Sequence, residues 1–162
     1  MSAPQPQANF GELLSKIILP KVHLIALLVA VTGIIFHYQQ LAGAADILMI
    51  GLSTLAGVYF LSAFTVNNQP DNKHSPRALL VLKLIFMAAS VAVIGILFTL
   101  LNLEGNQQML LIGTGVLGIA SIAGATLIVT NNSNLAILKR PLMVGIPLFL
   151  VALYFMYKLS II

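Results

Sequence analysis

The sequence predicts an all-α integral membrane protein of about five transmembrane helices, arranged as a tandem parallel repeat of two helical hairpins plus one extra C-terminal helix. Three observations predict it. The composition is too apolar for a water-facing surface. Apolar runs of membrane-crossing length are separated by short polar breaks. Identical residues recur sixty-two positions apart.

Of 162 residues, 59% are hydrophobic and 7% charged, with a mean hydropathy of +1.03. A soluble domain carries about 25% charged residues, so this chain belongs in lipid. It has no cysteine and no tryptophan. Disulfide and thiolate chemistry are excluded, and interfacial anchoring falls to Tyr38, Tyr59, Tyr154 and Tyr157. The net charge of +4 does not point to nucleic acid, because the cations sit at the ends of apolar runs rather than on one soluble face.

Residues 1–20 form an N-terminal tail. Met1–Gly11 holds no cation, so it lacks the basic start of a cleaved signal peptide, and the first apolar helix is expected to stay as a retained span. In NFGELLSKIILP, Phe10, Leu13, Leu14, Ile17 and Ile18 fall on one helical face, Asn9 and Glu12 have capping-box spacing, and Pro20 interrupts the pattern. Two readings stay open for residues 10–19: a short helix lying in the interface, or an early start of the first span with a kink at Pro20.

Five apolar runs follow, at roughly 21–38, 44–66, 79–102, 107–130 and 141–161. At 1.5 Å per residue each suffices, or nearly so, to cross about 30 Å of hydrocarbon. Continuous Leu/Ile/Val runs argue against a β-barrel, whose strands would alternate. Only a few residues separate the first run from the second and the third from the fourth, so each pair closes as a hairpin. The chain then divides into hairpin 21–66, a polar cytoplasmic loop 67–78, hairpin 79–130, and a loop with the fifth helix over 131–162.

In a five-span arrangement Lys16, Lys21, Lys73, Arg77, Lys83, Lys139 and Arg140 share one side, Lys158 lies on the other, and the hairpin tips carry Asp46 and Glu104. The positive-inside rule places the N-terminus in the cytoplasm and the C-terminus in the periplasm of a bacterial inner membrane.

Val29, Ala30, Val31, Gly33, Phe36, Leu41, Gly43, Leu48, Ile50, Gly51 and Leu55 recur without a gap as Val91, Ala92, Val93, Gly95, Phe98, Leu103, Gly105, Leu110, Ile112, Gly113 and Leu117, and Lys21 meets Lys83. Glycines, phenylalanine and turn stay in register, which points to tandem duplication. Each unit holds two spans, so both enter from the same side. Lys139–Met156 faintly resembles the first helix of a third unit. Gly43 and Gly105 are expected to permit the tight hairpin reversals.

Gly113, Gly115 and Gly118 match the dinucleotide fingerprint GxGxxG, but that motif works only between a strand and a helix. Inside an apolar helix, glycines let backbones approach. Gly51, Ser53, Gly57, Gly113, Gly115, Gly118 and Gly124 are therefore the expected helix-packing or partner-interface residues. His23, His37 and His74 fall on opposite sides of the membrane, so no metal or haem site is expected, and no cofactor. No acid lies inside a span, where a proton path usually marks itself. No catalytic constellation is visible, and an enzyme is not expected.

GIIFHYQQLAGA followed by ILMIGLSTLAGVYFLSAF resembles the transmembrane hairpin of the GldL (PorL) family, inner-membrane motor subunits of gliding motility and type IX secretion in Bacteroidota. Gly33, Phe36, Gly43, Ala44, Gly51, Leu52, Thr54, Ala56, Ser62, Ala63 and Phe64 match that hairpin. The resemblance covers about 45 residues and implies a shared hairpin fold. The departures bear on function. His37, Gln40, Leu41 and Ala42 replace the family's Lys, His, Trp and Pro. Leu55, with Leu117 in the second copy, stands where the family carries the glutamate implicated in proton-driven motor function. A leucine accepts no proton. The expectation is a non-catalytic scaffold or accessory subunit that packs against other membrane proteins or its own copies. The alternative is a small transporter or channel for a neutral or lipophilic solute, with a polar cavity lined by Thr32, Ser53, Ser90 or Thr126.

Overall fold

The computed structural model describes residues 18–65, 76–130 and 135–159. It is all-helical there, with α1 Leu19–Tyr38, α2 Ala44–Thr65, α3 Pro76–Leu100, α4 Asn106–Thr130 and α5 Leu135–Lys158. All five are long and apolar enough to cross a membrane, and the chain is a multi-pass membrane protein. The capping pair Asn9/Glu12 and most of the segment 10–19 lie outside the described residues, as do Lys16, Lys73 and His74.

The helix starts have simple causes. Pro20 stands in the first turn of α1, where its fixed φ suits a helix and its missing N–H would have had no partner. Pro76 opens α3 in the same way, earlier than the apolar run begins. Helix α5 also starts before its apolar run and continues through Pro141 and Pro147.

The duplication is visible atom by atom in the turns. After α1, Leu41 N–H donates to the Phe36 carbonyl at 3.0 Å and Gln40 N–H to that of His37 at 3.1 Å. After α3, Leu103 donates to Phe98 at 2.9 Å and Asn102 to Thr99 at 3.3 Å. This is the Schellman closure, which needs a left-handed residue. Gln40 (φ 54°) and Asn102 (φ 52°) supply it. Gly43 (φ 81°) and Gly105 (φ 80°) then swing the chain into the next helix. Each reversal thus has two left-handed positions, of which the sequence reading expected only the glycine. Gly43→Ala should cost about 1 kcal/mol, and Gln40→Gly should recover up to about that much. Equilibrium unfolding in mixed micelles reads both.

Both hairpins also close at the same points. A Cβ on Gly33 would meet the Leu48 backbone at 2.9 Å, and one on Gly51 the Ala30 backbone at 2.6 Å. In the second unit Gly95 would meet Leu110 at 2.8 Å and Gly113 would meet Ala92 at 2.6 Å. All four contacts shift by the same sixty-two positions, and the register also pairs Ile34 with Ile96. The backbones touch because no side chain stands between them, which is how helices associate where lipid removes the hydrophobic drive.

Helix α3 is the centre of the bundle and packs extensively on α2, α4 and α5, whereas α1 packs extensively on α2 alone. In the most apolar window of α3, 50% of residues are buried, against 22% in α1. Helix α5 runs antiparallel to α4: Gly118 meets Phe149, Ser121 meets Gly145, and Gly124 meets Leu142. It packs on α4 and also reaches α3, a contact α3 does not make comparably with α1. The residue types explain the difference. Ser121 and Ile85 occupy the positions that Tyr59 and His23 hold in the first unit. A Cβ on Gly145 would lie 3.2 Å from Ile85 and 3.5 Å from the Ser121 hydroxyl, so small residues let α5 settle between α3 and α4.

Lys21, Arg77, Lys83 and Lys139 cluster at the end of the bundle where α1, α3 and α5 begin, and Asp46 and Glu104 mark the hairpin tips at the other. Lys158, at the end of α5, sits over the Tyr38 ring at 5.3 Å, beside the end of α1.

Candidate helix-packing interface

The seven residues expected at an interface separate into two groups. Four are used within the chain. Gly51 and Gly113 close the two hairpins against Ala30 and Ala92. Gly118 lies under Phe149, whose ring would stand 2.7 Å from an added Cβ, and Gly124 meets Ile85 and Leu142 at ordinary contact distance. The other three face outward. Ser53 is exposed, and a Cβ on Gly57 or Gly115 would meet nothing within 4 Å.

Ser53 and Gly115 are equivalent positions of the two units. On α2 the outward residues Met49, Ser53, Gly57, Phe60 and Phe64 follow one another at spacings of three or four, so they line one helix face. The Phe60 and Phe64 rings meet at the end of that face, tilted by 60° with centroids 5.1 Å apart. The small residues make a shallow trough along the helix, and the aromatic pair bounds it. Helix α4 does not repeat this, because the position equivalent to Gly57 is Ile119, which is 70% exposed.

Leu55 and Leu117 are both buried in the core. A carboxylate there would be enclosed by apolar side chains with no described cation beside it, a costly arrangement. The leucines suit the packing of this chain.

Six of the eleven described serine and threonine hydroxyls bond to their own helix. Thr32 donates to the Leu28 carbonyl at 2.9 Å, Thr99 to Gly95 at 2.8 Å and Thr126 to Ala123 at 2.9 Å. The four candidates for a polar cavity do not converge: Thr32, Ser53 and Thr126 face outward and Ser90 inward. Thr114 and Ser121, one above the other on α4, are buried without a hydrogen-bond partner. Nothing in the spacing of α4 distinguishes them from self-bonded threonines. His23 and Tyr59 form a pair between α1 and α2, with Nε2 3.1 Å from the phenol oxygen. That pair is recognisable only once the hairpin register is known. Among the described residues no group of three histidines, aspartates or glutamates could hold a metal ion.

No protein-family profile matches the chain, and no curated protein or solved structure matches it.

Proposed function

We propose that this chain is a non-catalytic scaffold or accessory subunit of a bacterial inner-membrane complex, with its N-terminus cytoplasmic and its C-terminus periplasmic. The observation that carries the reading is the outward trough of α2. Four of the seven interface candidates are consumed inside the fold, yet Ser53 and Gly57 stand uncovered beside Phe60 and Phe64. Small residues on a lipid-facing helix surface allow a second helix to approach closely. The cations at one end of the bundle support the orientation. The likeness to GldL hairpins supports a place beside gliding-motility or type IX secretion machinery in Bacteroidota, without proton conduction by this chain, because Leu55 and Leu117 replace the acid. The outward facing of Thr32, Ser53 and Thr126 favours this reading over a solute pathway.

Replacing Gly57 by Leu, with and without Ser53→Leu, is expected to strip the chain of its larger assembly while leaving its own fold unchanged. Native mass spectrometry from gentle detergent measures the first and helical circular dichroism the second. An assembly that survives both substitutions would remove α2 as the contact.

A further inference from the structure

A groove of about 380 Å³ runs along the outside of the bundle between the end of α4 and the first half of α5. Ile128 of α4 and Lys139, Leu142, Met143, Ile146 and Pro147 of α5 line it. Pro147 has no N–H to offer the Met143 carbonyl, and a proline inside a helix loosens it locally. The groove lies along that loosened stretch.

Its walls and its length describe the occupant. Every lining side chain but one is apolar, and the exception, Lys139, is exposed. Lys139 lies just before the apolar window that begins at Pro141, so it stands at the membrane edge. From Lys139 to Pro147 the helix rises about 12 Å at 1.5 Å per residue, close to half of a hydrocarbon core about 30 Å thick. The groove therefore spans much of one leaflet, with a cation at its mouth.

The charge at that mouth lacks a described partner. Lys21, Arg77, Lys83 and Lys139 lie at this end, while the described carboxylates, Asp46 and Glu104, lie at the opposite one. A phosphate just outside the hydrocarbon would pair with the Lys139 ammonium, and a flexible hydrocarbon chain would fill the apolar walls below it. A single molecule with both parts is a phospholipid.

We propose that the α4–α5 groove is a binding site for one anionic phospholipid of the leaflet at the cation-bearing end, its phosphate on Lys139 and an acyl chain along Leu142, Ile146 and Ile128. This site is independent of the α2 trough, and neither reading depends on the other.

The test is native mass spectrometry of the whole chain, purified in gentle detergent and titrated with dioleoyl phosphatidylglycerol or dioleoyl phosphatidylcholine. The wild type should retain one phosphatidylglycerol in preference to phosphatidylcholine. Lys139→Gln should lower that retention about fivefold, because one lysine at an anionic surface contributes about 1 kcal/mol and 1.4 kcal/mol is tenfold. Ile146→Trp should lower the retention of phosphatidylglycerol by filling the groove. Lys158→Gln, at the opposite end, should leave it unchanged. Raising the salt concentration should release phosphatidylglycerol from the wild type, which tests the ion pair without any substitution. Equal retention of the two lipids by the wild type overturns the proposal. So does phosphatidylglycerol retention that ignores both salt and Lys139→Gln.

Discussion

Replacing Gly51 or Gly113 by alanine is expected to open the corresponding hairpin, and each substitution should be among the most damaging single-methyl changes in the chain. The added Cβ would stand 2.6 Å from a backbone nitrogen of the facing helix, that of Ala30 or Ala92. A backbone atom in the middle of a helix cannot rotate out of the way as a side chain can. The helices must separate, and every contact along the seam lengthens with them. Overpacking a well-filled core typically costs about 1–3 kcal/mol and occasionally more. The rigid obstacle puts these two at the upper end. Gly57→Ala and Gly115→Ala are matched controls on the same two helices, because their added methyl meets nothing within 4 Å. In equilibrium unfolding from mixed micelles, the first pair should lose stability and the second pair should not. Helix propensity alone would make all four substitutions stabilising, so equal losses in all four would mean that backbone approach does not set the effect. Because the contacts are equivalent, Gly51→Ala and Gly113→Ala should cost similar amounts.

Gly118→Leu is expected to dislodge α5 from the bundle while leaving both hairpins closed. Here the obstacle is the Phe149 ring at 2.7 Å, a side chain that can yield a little to a methyl group but not to an isobutyl group. Helix α5 has no hairpin partner of its own and packs on α3 and α4 through Gly118, Ser121, Gly124 and Gly145. The expected loss is again about 1–3 kcal/mol. Phe149→Ala in the same chain should restore part of it, since the two residues are in contact and their effects should not add. Protease access to α5 in detergent, compared among the single and double variants, reads the displacement. Unchanged protection in Gly118→Leu would show that α5 is held elsewhere.

Some of this architecture is legible in the sequence alone. The five spans follow from hydropathy because lipid leaves an unpaired backbone no choice but helix. The duplication follows from Gly33, Phe36, Gly43 and Gly51 keeping register with Gly95, Phe98, Gly105 and Gly113. The interface was less readable. A glycine that touches Ala30 and a glycine that faces lipid look alike in sequence, so Gly51 and Gly57 fell into one group until the hairpin register separated them. Gln40 and Asn102 carry little sequence mark of the left-handed conformation because neither is glycine, although asparagine tolerates that conformation better than most. Thr114 and Ser121 could not be distinguished from Thr32 and Thr99, because whether a hydroxyl bonds its own helix depends on its rotamer and not on its spacing.

The place of α5 has a consequence for how the protein is made. Each hairpin is complete as soon as its second helix has been synthesised. The face of α4 that carries Gly118, Ser121 and the unpartnered Thr114 hydroxyl is covered only when α5 follows. The end of α5 at Lys158 comes 28 residues after the end of α4 at Thr130, which at 5–20 residues per second takes roughly 1–6 s. For those seconds a nascent four-span chain presents a small-residue, hydroxyl-bearing surface to its surroundings. A neighbouring helix or an insertion factor in the membrane meets a different protein then from the one that exists after the ribosome has left.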